Sequence, residues 1–251
     1  MNENIFTGLA NIYEKYRPMY PISLFSYLQK NAGINLSSVI ADIGSGTGIL
    51  TQELLKICGH VYAIEPNTDM RNIAESKLSL NSKFTSISAV AENTTLQEES
   101  VDFITVAQAF HWFDKIAFKK ESKRILKKQG IVILIWNRRK ESDLLIQEID
   151  SISQEFCPTF SGSSKGMRGA TQNDSFDSFF EEKIDTVYFE NSMVLNKDSF
   201  LGLHKSASYC PPTTDPGYRN YMNALAHYFD TKKKNNTLSL PNETVCYVGK
   251  V

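Results

Sequence analysis

The chain has 251 residues, 41% of them hydrophobic and 11% aromatic, with 27 basic against 28 acidic side chains. That is enough apolar material for a large buried core, and a net charge of −1 is too small for an intrinsically disordered chain. The longest unbroken aliphatic or aromatic run, Ile131 to Trp136, has six residues, far short of the ~18 that a membrane-spanning helix needs.

Further classes fall away. Met1-Asn2-Glu3-Asn4-Ile5 lacks the basic and then apolar start of a secretory signal. The balance of charge argues against a large nucleic-acid footprint, which usually needs a basic surplus or stripe. Lys232-Lys233-Lys234 reads as a solvated helix end. Cys58, Cys157, Cys210 and Cys246 form no CxxC pair, so neither a metal site nor a disulfide framework is expected and a reducing cytoplasm fits. No feature sets an oligomeric state.

Two periodicities alternate over the first 140 residues or so. Pro21 to Ala32 carries Leu24, Phe25 and Leu28 at helical spacing. Ser38 to Ile43 is a short apolar run that ends in a glycine-rich turn, and Ile49 to Cys58 resumes helical spacing. His60 to Glu65 is strand-like, Thr68 to Leu78 helical, Lys83 to Ser88 a candidate third strand and Val101 to Ala107 a fourth. Asp114 to Lys128 is an amphipathic helix with Ile116, Phe118, Ile125 and Leu126 expected inside. Gly130 to Trp136 is apolar at nearly every residue, as a strand buried on both faces is. Strand and helix alternating in this way predict an α/β fold with a doubly wound, parallel sheet, whose ligands bind at the carboxyl ends of the strands.

The pattern then changes. A helix with Leu144, Leu145, Ile149 and Ile152 follows Arg138-Arg139-Lys140, and then a small-residue loop from Ser161 to Gly166. Ile184 to Glu190 alternates as a strand. Asp215-Pro216 opens a helix with Tyr218, Tyr221, Met222, Leu225, Tyr228 and Phe229 on one face, and Glu243 to Val251 alternates again. These segments predict a helical cap with two strands returning to the sheet. The expected division is 1–137 as the ligand-binding core with an N-terminal lid helix and 138–251 as cap interleaved with the last strands, all in one domain.

The segment Ala41-Asp42-Ile43-Gly44-Ser45-Gly46-Thr47-Gly48 lies between a strand and a helix, the context that a nucleotide-type fingerprint requires. Its glycines let the backbone bend and approach a ligand, and the next helix begins with unpaired N–H groups. Ile49 stands where a dinucleotide fingerprint has its third glycine. Asp42 would repel a pyrophosphate and favour a ligand with a cationic amino-acid end and a sulfonium. Glu65, at the tip of the second strand, can accept both hydroxyl protons of a ribose. Together they describe a nucleoside joined to an amino acid. Replacing Asp42 or Glu65 by alanine is expected to abolish ligand binding and leave the fold intact.

These residues resemble the class I S-adenosylmethionine (SAM) dependent methyltransferases. Residues 41–48 match the first motif of that family, and Ala63-Ile64-Glu65-Pro66-Asn67 with Met70 the second. Ala89-Val90-Ala91-Glu92 and Ser100 to Ile104 are similar to the segment that meets the adenine, and Gly130 to Trp136 to the fifth-strand motif. The resemblance covers about residues 8 to 137 and implies a Rossmann-like, mostly parallel seven-stranded sheet with SAM as cofactor. It implies Asp42, Gly44, Ser45, Gly46, Glu65, Pro66, Met70, Ala91, Glu92 and Gln108 as the SAM-binding residues. Tyr13 to Pro21 and Ala107 to Asp114 are further similar to a small-molecule subgroup that includes relatives of trans-aconitate methyltransferase. A non-catalytic SAM-binding protein and a nicotinamide-dependent oxidoreductase on a similar sheet are the rivals. No Asn-Pro-Pro-Tyr or Asp-Pro-Pro-Tyr segment follows the fourth strand, where amino-methylating nucleic-acid enzymes carry one.

Seven candidate residues remain. Tyr13, Tyr16 and Tyr20 recur at helical spacing, so Tyr16 and Arg17 either pack a lid helix or reach the carboxylate of SAM. His111 follows the fourth strand as a structural histidine or as a general base for a hydroxyl or ammonium acceptor. Trp112 is expected to wall the substrate pocket. For a carboxylate acceptor no base is needed, and Arg138, Arg139 and Arg168 become candidate cationic donors.

Overall fold

The computed structural model describes residues 15–162, 178–181 and 183–251. Seven strands form one sheet in the order β3-β2-β1-β4-β5-β9-β6. They are β1 Val39–Ile43, β2 His60–Ile64, β3 Phe84–Ile87, β4 Val101–Ala107, β5 Leu126–Arg139, β6 Asp185–Glu190 and β9 Asn242–Gly249. All pairings from β3 to β5 are parallel, and β9 runs antiparallel between β5 and β6. Because the sheet reverses its winding between β1 and β4, the crevice above the carboxyl ends of those two strands is the place for a ligand.

Helices α1 Ile22–Lys30, α2 Ile49–Leu54, α3 Thr68–Leu78 and α4 Lys115–Ile125 connect or flank these strands. The period of two in β5 divides the core. Val132, Leu134 and Trp136 face one cluster with Phe110, Phe118 and Phe179, while Ile133 and Ile135 face another with Leu24, Leu28, Leu50 and Leu54. Strands covered on both sides need no polar face, so their sequences are nearly unbroken apolar runs.

The cap is built from α5 Leu144–Phe156, α6 Lys197–Lys205 and α7 Pro216–Lys232, with a small sheet of β7 Met193–Leu195 against β8 Leu238–Leu240. Its own core gathers Ile146, Ile149, Phe200, Leu203, Tyr221, Leu225 and Phe229. Asp114, Asp143 and Asp215 cap α4, α5 and α7, each accepting backbone N–H groups of its first turn. Among the described residues no helix is long and apolar enough to cross a membrane.

Three local expectations need correction. Ile116 is 86% exposed and Leu144 74% exposed. The buried faces are set by Phe118, Ser122 and Ile125 in α4 and by Ile146, Ile149 and Ser153 in α5. Each exposed residue stands two positions before such a face, about 200° around a helix of 3.6 residues per turn. The third is the single helical face of Tyr13, Tyr16 and Tyr20. The chain is helical at Tyr16 but not from Pro18 to Pro21, because the two prolines deny the helix its N–H groups and hold their predecessors extended. Tyr13 lies outside the described residues.

Candidate functional site

The glycine loop turns three times through left-handed backbone, with φ of +67°, +58° and +80° at Gly44, Gly46 and Gly48. Only glycine adopts these angles without steric cost. What surrounds each glycine differs. A Cβ on Gly44 would stand 2.6 Å from the Ala109 side chain, and one on Gly48 3.0 Å from Leu78. On Gly46 a Cβ would meet nothing within 4 Å. Gly44 and Gly48 are therefore required by packing, whereas Gly46 faces open space.

Two carboxylates fasten the loop. Glu65, 8% exposed at the end of β2, accepts the N–H of Gly46 at 2.9 Å and that of Asn67 at 2.8 Å. The N–H groups of Gly44 and Ser45 donate to the Ile64 carbonyl at 2.8 and 3.1 Å. Asp42, 1% exposed in β1, accepts the Thr51 hydroxyl at 2.6 Å and the Thr105 hydroxyl at 2.9 Å. It thus joins β1, α2 and β4. Burial pushes its carboxyl up to about 6, with Glu65 adding to the rise and the two hydroxyls pulling the other way. Alanine at Asp42 or Glu65 is therefore expected to cost stability as well as ligand binding. Either change strands buried donors, at about 1–3 kcal/mol per group.

The remaining edge is formed by the chain that follows β2, β3 and β4. Pro66 precedes Asn67, whose side chain caps α3 by accepting the N–H of Met70 at 3.0 Å. Met70 is buried. Arg71 braces the turn from behind, donating to the carbonyls of Glu65 and Pro66 at 2.9 and 3.1 Å. Ala91 is buried, and Glu92 accepts the N–H of Asp114 at 2.8 Å, tying the loop after β3 to the start of α4. Gln108 holds a left-handed φ of +58°. Its amide N–H donates to Ile135 and its side chain to the Asn137 carbonyl, both at 3.0 Å. A non-glycine residue held there costs about 1 kcal/mol or more and marks a place where geometry is imposed.

A short turn, Phe110–Trp112, carries the next candidates. Phe110 is wholly buried among Phe113, Phe118, Trp136 and Phe179 and anchors the turn. His111 and Trp112 lie together, ring centres 4.6 Å apart, with Trp112 36% exposed. The His111 Nδ1 is buried and has no hydrogen-bond partner among the described residues. Burial first, and Lys115 second, push the imidazole down to about 4, so it is neutral near pH 7. A base that weak has little driving force to take a proton.

Other candidates are drawn elsewhere. Arg138 is engaged within the sheet. It pairs with Glu243 at 2.6 Å across the β5–β9 ladder and lies over the Tyr188 ring. Tyr16 donates its hydroxyl to Asp198 at 3.0 Å, with its ring against Gly202 of α6, and the Arg17 guanidinium donates to the Ser206 carbonyl at 2.9 Å. Both side chains thus fasten the N-terminal segment to the cap. Arg168 lies outside the described residues.

Sequence reasoning missed a knot of amides. The Asn137 side chain donates to the Pro18 carbonyl at 3.1 Å and accepts from Asn191 at 3.0 Å and from Thr244 at 2.5 Å. Asn191 also donates to the Met19 carbonyl at 2.9 Å. The segment before α1 is thereby bound to β5 and to the turn between β6 and β7. Thr51, Thr105 and Arg71 were missed as well. The one local signal was Thr105, a polar residue within the buried run Val101 to Ala107.

Residues 41–134 match a family model described as "Methyltransferase domain". An uncharacterized methyltransferase of Mycobacterium tuberculosis is 28% identical over 247 residues, which cover 96% of this chain and 93% of that protein. Residues 41–134 thus carry a SAM-dependent methyltransferase domain. An uncharacterized methyltransferase-like protein of Schizosaccharomyces pombe is 32% identical over 146 residues, 56% of the present methyltransferase and 54% of the yeast protein. The fold agrees with the solved structure of a provisionally assigned type II methyltransferase of Anaeromyxobacter dehalogenans, at a TM-score of 0.69 and 21% identity over 94% of this methyltransferase and 98% of that chain. The methyl donor is SAM, and the nicotinamide-dependent rival falls. The open space over Gly46 is a cradle that any side chain would fill, with the Glu65 carboxylate at its floor.

Proposed function

We propose that this methyltransferase acts on a small-molecule acceptor bound between the strand ends and the cap. The observation that carries this reading is the strap formed by residues 16–19. Tyr16 and Arg17 hold it to α6, while Asn137 and Asn191 hold the carbonyls of Pro18 and Met19. A strap held beside Asn137, whose carbonyl accepts from Gln108 at the strand ends, favours small molecules over a nucleic-acid strand or a folded protein. The net charge of −1 gives no broad field for a polyanion either.

In this reading Glu65 accepts the ribose hydroxyls, Gly44, Ser45 and Gly46 offer backbone to the amino-acid end, and Asp42 stabilises that end by its charge. Pro66, Met70, Ala91 and Glu92 line the adenine side, and Gln108 closes the edge next to Asn137. When bound, SAM supplies a methyl group on a sulfonium, open to in-line displacement. The chain then needs to align two reactants and exclude water. Trp112 and neutral His111 wall the pocket, and no proton transfer to His111 is required. Residues 1–137 hold the donor and 138–251 set the acceptor.

The test is transfer from methyl-labelled SAM to parallel panels of metabolites, total RNA and cell protein. Label in one or more metabolites is expected. Label confined to RNA or protein would overturn the reading.

A further inference from the structure

The knot on Asn137 joins two parts of the site, the strap and the edge at Gln108. Main-chain carbonyls can only accept, so those of Pro18 and Met19 fix which way round the Asn137 and Asn191 amides lie. The Asn137 Nδ2 therefore faces the strap, while its Oδ1 faces the Asn191 amide and the Thr244 hydroxyl. Thr244 is wholly buried and stands opposite Asn137 in the β5–β9 ladder. One half of the knot is thus anchored in the sheet, and the strap hangs on the other.

The Asn137 carbonyl serves the opposite side. β4 leaves the β5 ladder at the pair Ala107–Ile135. The Gln108 side chain then reaches two residues further along β5 and donates to the Asn137 carbonyl. A left-handed φ outside glycine has to be held in place, and this bond holds it together with that from the Gln108 N–H to Ile135. The turn so made sets Ala109 against the glycine loop, where a Cβ on Gly44 would come within 2.6 Å of its side chain. Asn137 therefore holds the strap by its side chain and, by its carbonyl, the turn that closes on Gly44.

We propose that Asn137 is a positioning residue that couples the strap to the donor site, so that docking of residues 16–19 and binding of SAM favour one another. The proposal rests on the reading that the donor lies on the glycine loop beside Gln108, and it needs no assumption about the acceptor. A donor packed on that loop fixes the turn of Gln108 and Ala109, and with it the Asn137 peptide that carries the strap's amide. Coupling of this kind is reciprocal. The factor by which the donor tightens the strap is the factor by which a released strap weakens the donor. The bond at Pro18 sets that factor at about three- to tenfold.

The experiment follows hydrogen–deuterium exchange of peptides spanning residues 15–24 in the full chain. Exchange is read with and without saturating S-adenosylhomocysteine, beside calorimetry of the same ligand. In the parent the ligand should slow exchange at the strap about three- to tenfold. Asn137→Asp keeps an oxygen for Thr244 and Asn191 but sets a carboxylate oxygen against the Pro18 carbonyl. There the slowing should vanish, and ligand affinity should fall by the same factor. Asn191→Ala frees Met19 and leaves the Pro18 bond, so both losses should be smaller. Should Asn137→Asp fail to fold, Asn191→Ala decides by the same two readings.

An Asn137 that only supports the fold would speed strap exchange equally in the free and bound chain and leave affinity unchanged, which overturns the coupling. Direct contact between the donor and Tyr16 or Arg17 would slow the strap whether or not residue 137 keeps its amide. Slowing that persists in Asn137→Asp therefore overturns it, as does a parent strap that the ligand leaves unmoved. Lost slowing with unchanged affinity breaks reciprocity and overturns it too. Glu65→Gln tests the donor's placement separately. Unchanged ligand affinity in that variant, beside slowing that depends on Asn137, upholds the coupling and overturns only the placement.

Discussion

The Glu65 carboxylate accepts the backbone N–H of Gly46 at 2.9 Å, so the end of β2 holds the middle of the glycine loop in place. In the proposed binding mode the same group meets the ribose of SAM. Glu65→Gln puts an amide N–H where an acceptor oxygen stood, while Glu65→Ala removes both oxygens from the buried N–H groups of Gly46 and Asn67. Calorimetry should show SAM affinity lower by about ten- to a hundredfold in the glutamine variant and lower still in the alanine variant. Urea unfolding should show a loss of about 1–3 kcal/mol for alanine. Unchanged affinity in both variants would remove Glu65 from the donor site.

Asp42 predicts a dependence on pH. Its folded carboxyl lies at about 6, against an unfolded value of about 3.9. Between these values the folded chain binds more protons than the unfolded one. Stability from this group therefore falls as pH climbs from about 4 to 6, and the cost is fully present above that window. Two pKa units correspond to about 3 kcal/mol. Asp42→Asn carries no titrating group, so its stability relative to the parent should improve by up to that amount between pH 4 and about pH 7. Parallel unfolding curves across this range measure the difference, and a flat difference would sink the argument.

The parts visible in the sequence were those whose physics is local. β1, β2, β4 and β5 are buried on both faces, so their apolar runs were plain. The glycine loop showed through its spacing because three left-handed residues demand glycine. What stayed hidden depends on register between distant segments. Asp42 pairs with Thr105 only once β1 lies beside β4, and Arg138 finds Glu243 only once β9 folds back on β5. The Asn137 knot needs four segments at once. Strands of three residues, such as β7 and β8, carry too little pattern to be seen at all.

The glycines should separate packing from ligand contact. Gly44→Ala drives a Cβ to 2.6 Å from Ala109 and also strains a φ of +67°. Its unfolding free energy should fall by about 3 kcal/mol or more. Gly46→Ala meets open space, so only the strain at φ +58° remains, at about 1–2 kcal/mol. In the proposed binding mode its methyl would nevertheless stand where the donor lies. Thermal unfolding should thus rank Gly44→Ala as the more damaged fold, while Gly46→Ala, largely folded, loses SAM binding at least about tenfold. Full SAM affinity in folded Gly46→Ala would show that the ligand does not cross this cradle.

His111 offers the sharpest statement about chemistry. With its imidazole at about 4, it does not change charge between pH 6 and pH 9. If it only walls the pocket beside Trp112, no ionisation of His111 should appear in the kcat/KM profile over that range. His111→Gln, which keeps a polar tip of similar reach, should then retain activity within about tenfold. A general base would give a different result, because its removal typically costs 10²–10⁴-fold, on the order of 3–5 kcal/mol of barrier. Single-turnover rates with labelled SAM and whichever acceptor the panel yields distinguish the two. A loss of that size in folded His111→Gln, together with an acid limb near neutral pH in the parent, would restore the catalytic assignment. It would also require ligand binding to raise the imidazole pKa by about 2 or more units, since a base is most effective when its pKa lies near the working pH.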